Sequence, residues 1–246
     1  MKPKLAPIFL PILLSTGVLL PAADPSTTFL AGQKVQVSHT DRLSLPAGGV
    51  VRLQHSFGEA GIEGWDRPEV EVTVIKSTKG YFASAEDAKA TAELDRVHIT
   101  AQVQGKDVVV TTAYPHHSFP FNSPWAEPPV DVEYRIMVPK DAAIVVQHGN
   151  GEVHFYNVSG DIQAHVRSGE ISLDVPPADK YALQAGSHWG AVISDYPGRP
   201  HRRFWLVGHQ FTGPSADGAH KLVLKANYGD VIVMKAWEPP ATPATH

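Results

Sequence analysis

Apolar and polar residues alternate with a period of two along most of this chain. Residues 34–40 set Val35 and Val37 between polar neighbours, and the same alternation runs through 50–56, 70–76, 97–103 and 108–113. In 130–139 it puts Val130, Val132, Tyr134, Ile136 and Val138 on one face. Successive side chains of a strand point to opposite sides, so this spacing predicts strands with one buried face. One helix is predicted, over 85–94, with Ser84 as its cap and Glu86 and Asp87 beside the positive end of its dipole.

The second half carries a repeat. Gly151-Glu152-Val153 returns as Gly160-Asp161-Ile162 and Gly169-Glu170-Ile171, nine residues apart, with looser copies at Gly190-Ala191-Val192 and Gly229-Asp230-Val231. These glycines, together with Gly58, are read as structural turns where a positive φ is needed. The positions after each turn alternate again: Val153 and Phe155, then Ile162, Ala164 and Val166, then Ile171, Leu173 and Val175. A strand and turn of this length cannot close a core alone, so the units are expected to stack into a β-solenoid or roll. Antiparallel hairpins give strands at a similar spacing; the constant phase of the triplet favours stacking.

The first 23 residues read as a separate element. Lys2 and Lys4 precede an uncharged stretch, 5–20, and Pro21-Ala22-Ala23 supplies small residues before Asp24. Basic start, short apolar run and small-residue exit are the parts of a secretory signal peptide, with cleavage expected near Ala23. The alternative is a retained anchor, but the run is short for a span and Pro7 and Pro11 interrupt it. The expected organisation is therefore a signal peptide at 1–23, one β domain over 24–236 and a Pro/Thr tail at 237–246. Within the domain an irregular half, 24–129, precedes the repeat half, 130–236. The 246 residues contain no cysteine, which excludes a disulfide framework, a thiolate nucleophile and Cys-ligated zinc. A formal charge of −4 gives no reason to expect a nucleic-acid partner.

Two stretches carry a family resemblance: 45–75, LPAGGVVRLQHSFGEAGIEGWDRPEVEVTVI, and 134–173, YRIMVPKDAAIVVQHGNGEVHFYNVSGDIQAHVRSGEISL. Together they resemble the bacterial putative-adhesin family of unknown function, over roughly 45–233. The resemblance implies a right-handed β-helix-like fold, a place in the cell envelope and no established enzymatic activity. Two segments depart from the pattern: a Pro/aromatic insertion at 114–129, and a basic stretch at 197–203 (PGRPHRR), expected to be a loop.

Candidate chemistry is sparse. His148, His154 and His165 flank the repeat, and alternation turns His154 and His165 outward, where they either bind a metal or solvate the surface. Glu152, Asp161 and Glu170 are candidates to stack along one edge and hold calcium, although the dense glycine–aspartate repeats of calcium-binding rolls are missing. There is no nucleophile elbow, phosphate loop or dinucleotide fingerprint. No catalytic residue, cofactor or metal is therefore assigned. The candidate recognition loop is 114–129, where Tyr114, Phe119, Phe121 and Trp125, with His116 and His117, sit among five prolines. It either offers a stacking surface to a sugar or protein, or folds back over a sheet edge. The function expected is a non-catalytic envelope protein presenting a surface to a glycan, the cell wall or another envelope protein. The alternatives are a polysaccharide lyase or hydrolase, by fold analogy alone, and an accessory of envelope-stress signalling.

Overall fold

The computed structural model describes residues 33–83, 86–114, 130–176, 181–202, 208–213 and 220–236, all within one compact unit, Gly32–His246. The expected signal segment, the tail and loop residues 115–129 lie outside these ranges. Among the described residues the chain is mostly strand. The first half forms β1 (Gln36–Ser44), β2 (Val50–Trp65), β3 (Glu69–Thr78), α1 (Asp87–Leu94), β4 (His98–Gln104) and β5 (Asp107–Ala113). Then follow β6 (Val130–Pro139), β7 (Ala143–Tyr156), β8 (Ile162–Ser168), β9 (Ile171–Val175) and β10 (Tyr181–Trp189). The last are β11 (Val192–Ser194), β12 (Arg199–Arg202), β13 (His209–Thr212), β14 (His220–Tyr228) and β15 (Val231–Lys235).

All the strands belong to one mixed sheet, which divides into two walls because β2 and β7 each serve both. The first half of β2 pairs in parallel with β5 and with the first half of β7; its second half pairs in parallel with β6 and the second half of β7. Wall one continues from β7 through β8, β14 and β10, all parallel, and ends in the antiparallel strands β13 and β12. Wall two continues from β7 through β9, β15 and β11, also parallel. The antiparallel pairs β4–β5, β3–β6 and β1–β3 complete the other end.

Between the walls runs a ladder of glycines. Gly58, Gly151, Gly169 and Gly229 all hold positive φ, from 89° to 129°. A Cβ built on any of them would point along the stack and overlap a carbonyl oxygen of the next strand: Val132, Gly58, Gly151 and Gly169 respectively. Gly190 is blocked in the same way by the Gly229 carbonyl. Only a residue without Cβ lets parallel backbones, about 4.8 Å apart, turn together in register. Hydrogen bonds run straight through the corner, from Gly169 N to Tyr228 O (2.7 Å) and from Gly229 N to Trp189 O (2.8 Å).

Three sequence expectations need correction here. The nine-residue interval is half of the stacking unit: Gly151 and Gly169, eighteen residues apart, share the ladder, whereas Gly160 lies at a different corner. Its φ is not positive; a Cβ there would instead overlap the Ala142 carbonyl oxygen. The strands also do not stack in chain order, because β14 and β15 insert between β8–β9 and β10–β11. Finally, β1 is an edge strand paired with β3, and Val37 is exposed where a half-buried strand was expected.

The core fills the space between the walls and draws on both. Val51, Leu53, Ile144, Val146, Ile162, Val166, Leu222 and Leu224 come from wall one, and Ile62, Phe155, Ile171, Leu173, Val231 and Val233 from wall two. The helix begins at Asp87, with Glu86 at the cap position making no side-chain capping bond. It docks through Ala90 and Leu94, and Lys76 Nζ donates to the carbonyls of Leu94 (2.9 Å) and Val97 (3.1 Å) just past its negative end.

The ladder predicts a graded response to added methyl groups. Gly105 has φ 65° with open space around the position of its Cβ, so Gly105→Ala should cost only about 1 kcal/mol of left-handed strain. Gly169→Ala adds a steric overlap with backbone and should cost more than about 3 kcal/mol or prevent folding. Equal melting temperatures for the two variants would show that the corner tolerates a wider spacing.

Candidate functional site

The outer side of wall one is built by the same registers. Its residues face away from the core because their neighbours Ile162, Ala164, Val166, Leu222, Leu224 and Ala226 face inward. One row crosses nine strands: Thr100, Thr111, Gln54, Gln147, His165, Lys225, Gly186, Gln210 and His201. The next row reads Gln102, Val109, Arg52, Val145, Gln163, Val223, Gln184, Thr212 and Arg199. The face is therefore rich in amides and imidazoles, and bears cations. Arg52 is neutralised by Asp107 (2.8 Å), whose carboxyl is held below its ordinary range by that hydrogen bond and by Val50 N.

Where β10 and β14 reach the ladder, two exposed aromatics stand on neighbouring strands, at the end of the inward-alternating rows. Trp189 pairs in register with Tyr228, and both are about half exposed, at 53% and 42%. His188 packs edge-on against Trp189, with ring centroids 5.6 Å apart. Tyr228 is followed along the same row by Ser168 and Asn150, where Arg167 donates to Asn150 Oδ1 (3.0 Å). His165 and Asn227 hydrogen-bond at 3.3 Å. Beside the aromatics a groove of about 600 Å³ runs between β10, β13 and β14, lined by Gln184, His188, His209, Gln210, Lys225 and Asn227 among others. Gly186 contributes no side chain at its floor, and a Cβ there would meet only ordinary contacts at 3.7 Å. The dip is not required by packing.

The sequence candidates are dispersed. Of the recognition loop, Tyr114 is described: it is half-buried and packs edge-on against Phe57, centroids 6.3 Å apart. His116, His117, Phe119, Phe121 and Trp125 lie outside the described residues. The three histidines of the repeat occupy three environments. His154 bonds Glu152 (3.2 Å) on wall two, His165 lies on wall one, and His148 is inside. Glu152 on β7 and Glu170 just before β9 are neighbours, since Val153 N donates to Glu170 O (2.9 Å). Asp161 is at the other corner, accepting from Lys221 N (2.8 Å), so the three acids do not share an edge. Among the described residues no three His, Asp or Glu side chains converge on a common point. The basic stretch is an exposed edge strand, β12, rather than a loop; Pro200 fits there because an edge leaves backbone donors unpaired. Trp189 and Tyr228 are not among the residues the sequence singles out. Each stands immediately before a ladder glycine, the one signal that could have singled them out.

His148 was also missed as a core residue, although Ile144, Val146 and His148 alternate inward. It is 4% exposed, its Nδ1 shares a 2.8 Å hydrogen bond with the buried Ser56 hydroxyl, and its Nε2 has no partner. Burial pushes this imidazole down to about 4, with the nearby carbonyls of Gly58 and Asn150 opposing the effect.

The sequence matches no protein-family profile and no curated protein. Among solved structures, the fold is similar to that of a putative cell adhesion protein from Clostridium sporogenes ATCC 15579. The two are 12% identical with a TM-score of 0.48, over 82% of this chain and 100% of that one. It is also similar to a putative adhesin from Bacteroides fragilis NCTC 9343, 9% identical with a TM-score of 0.26, over 82% and 97% of the two chains.

An acid response follows from His148. The unfolded imidazole gains its proton near its ordinary 6.5 and the folded one only near 4, so its unfavourable contribution is absent above 6.5 and grows as pH falls between those values. The full loss is about 3 kcal/mol. Urea midpoints measured at about pH 7 and about pH 4.5 should move less in His148→Gln than in the unmodified protein. Identical shifts would assign the acid sensitivity to other groups.

Proposed function

We propose that this is a non-catalytic, exported cell-envelope protein, adhesin-like in role, whose parallel, solenoid-like stack holds a rigid surface for an extended glycan. The observation that carries the reading is the outer side of wall one: rows of Gln54, Gln147, Gln163 and Gln184 with Asn227, with Trp189 and Tyr228 exposed where β10 and β14 reach the ladder. Amides in register offer donors and acceptors to hydroxyl groups, and exposed rings offer faces for the apolar side of a sugar. Because the surface is built on hydrogen-bonded strands rather than on loops, little conformational freedom is lost when a partner binds. Export is supported by the three-part segment 1–23. Among the described residues no helix is long and apolar enough to cross a membrane.

The test is a glycan array probed with the purified protein and its Trp189→Ala and Tyr228→Ala variants. Both rings are substantially exposed, so each variant should keep its melting curve within about 0.5–1 kcal/mol of the parent. Each should nevertheless lose about tenfold or more in glycan affinity, as truncation of an aromatic anchor does. Retained glycan binding in both variants would remove this face from the reading. N-terminal sequencing of the envelope fraction checks the export half, with Asp24 expected as the first residue.

A further inference from the structure

We infer that the glycan held by wall one is anionic, a polysaccharide carrying spaced carboxylate or sulfate groups. This rests on the glycan-binding reading above and narrows it. The argument is the separation of charge between the two walls. On β8, β14 and β10 the outward positions contain no aspartate or glutamate, yet they carry Arg167, Lys225 and Lys221. Wall two has the opposite character. Glu133, Glu59 and Glu152 stand side by side in one row, and Glu63 and Asp174 lie in another beside Tyr156, whose hydroxyl is pushed up by burial and by Asp174 and Glu59.

Two acids border wall one at its edges and already have partners. Asp107 is held by Arg52 and Val50 N, and Asp161 by the backbone of Lys221. Among the described residues neither Arg167 nor Lys225 forms an ion pair, so both cations remain available on a protein whose formal charge is −4. A net-acidic chain that keeps the β8, β14 and β10 part of one face free of carboxylates presents a complementary surface to a negative partner there.

The mixture of groups selects the kind of polyanion. Cations here are few and separated by amides and imidazoles, which suits a hydroxyl-rich chain with intermittent charge. A nucleic acid carries a phosphate at every nucleotide and is met by dense Lys and Arg. A bilayer surface calls for a polybasic cluster or apolar insertion, and wall one offers a polar face with a few separated cations instead.

The experiment measures binding of the full protein to dextran sulfate and dextran, a pair differing only in charge, and to polygalacturonate. Phosphatidylglycerol vesicles and a short DNA duplex are run alongside. Dextran sulfate or polygalacturonate should bind at least about tenfold more tightly than dextran, with affinity falling as salt is raised. The double variant R167Q/K225Q should lose about tenfold or more of that affinity. R42Q/R67Q changes net charge equally but lies on β1 and the β2–β3 turn, and should stay within about twofold of the parent. Melting curves confirm that both double variants fold. Equal, salt-insensitive binding of dextran and dextran sulfate would overturn the charge inference while leaving glycan recognition intact. Absence of binding to any polysaccharide would overturn both. Preference for vesicles or DNA over the polysaccharides, or equal losses in the two double variants, would also overturn it.

Discussion

Everything in this protein hangs on the contact between one glycine and the carbonyl of the glycine stacked against it. Parallel strands can turn a corner in register only if nothing projects along the stack, and at Gly58, Gly151, Gly169 and Gly229 positive φ aims the missing Cβ at the neighbouring backbone. Close approach and left-handed geometry make the same demand, so no other residue satisfies both. Once the corner is set, each strand pair must continue into both walls, and the aliphatic residues on either side of it meet in a shared core.

The surface inherits this regularity. Because wall one runs parallel from β5 to β10, a residue's neighbours on the outer side are set by register alone, which is how Gln54, Gln147 and His165 come to stand in line although ninety-three residues separate the first two. The same corner fixes Trp189 and Tyr228, since each precedes a ladder glycine and stands at the end of its strand. Rigidity of this kind favours recognition of an extended chain, for which spacing matters more than an enclosing pocket.

Polar groups inside the stack mark where regularity has a cost. His148 and Ser56 sit where β2 shifts register between Gln54 and Gly58, and they pair with each other because the ladder cannot satisfy them there. Thr112 and Tyr134 form a second buried pair at 2.6 Å, and burial pushes the Tyr134 hydroxyl up to about 12. The tyrosine is thus a permanent hydrogen-bonding group, whereas the histidine gives the fold a titration within the acid range.

The sequence by itself determined most of the strands between 50 and 175 and their inward faces, because these depend on the local period of two. Ile162, Leu173 and Val231 are buried as their alternation requires. What it could not determine was which units become neighbours. The triplets at Gly160 and Gly169 look alike, yet one faces Ala142 and the other Gly151. The insertion of β14 between β8 and β10 leaves no local trace, since every strand of the stack offers a similar aliphatic face. The recognition surface is legible only at that level. Gln147, Arg167 and Lys225 lie far apart in the chain, and their company on one face is decided by pairing between strands, a long-range choice that packing and register settle together.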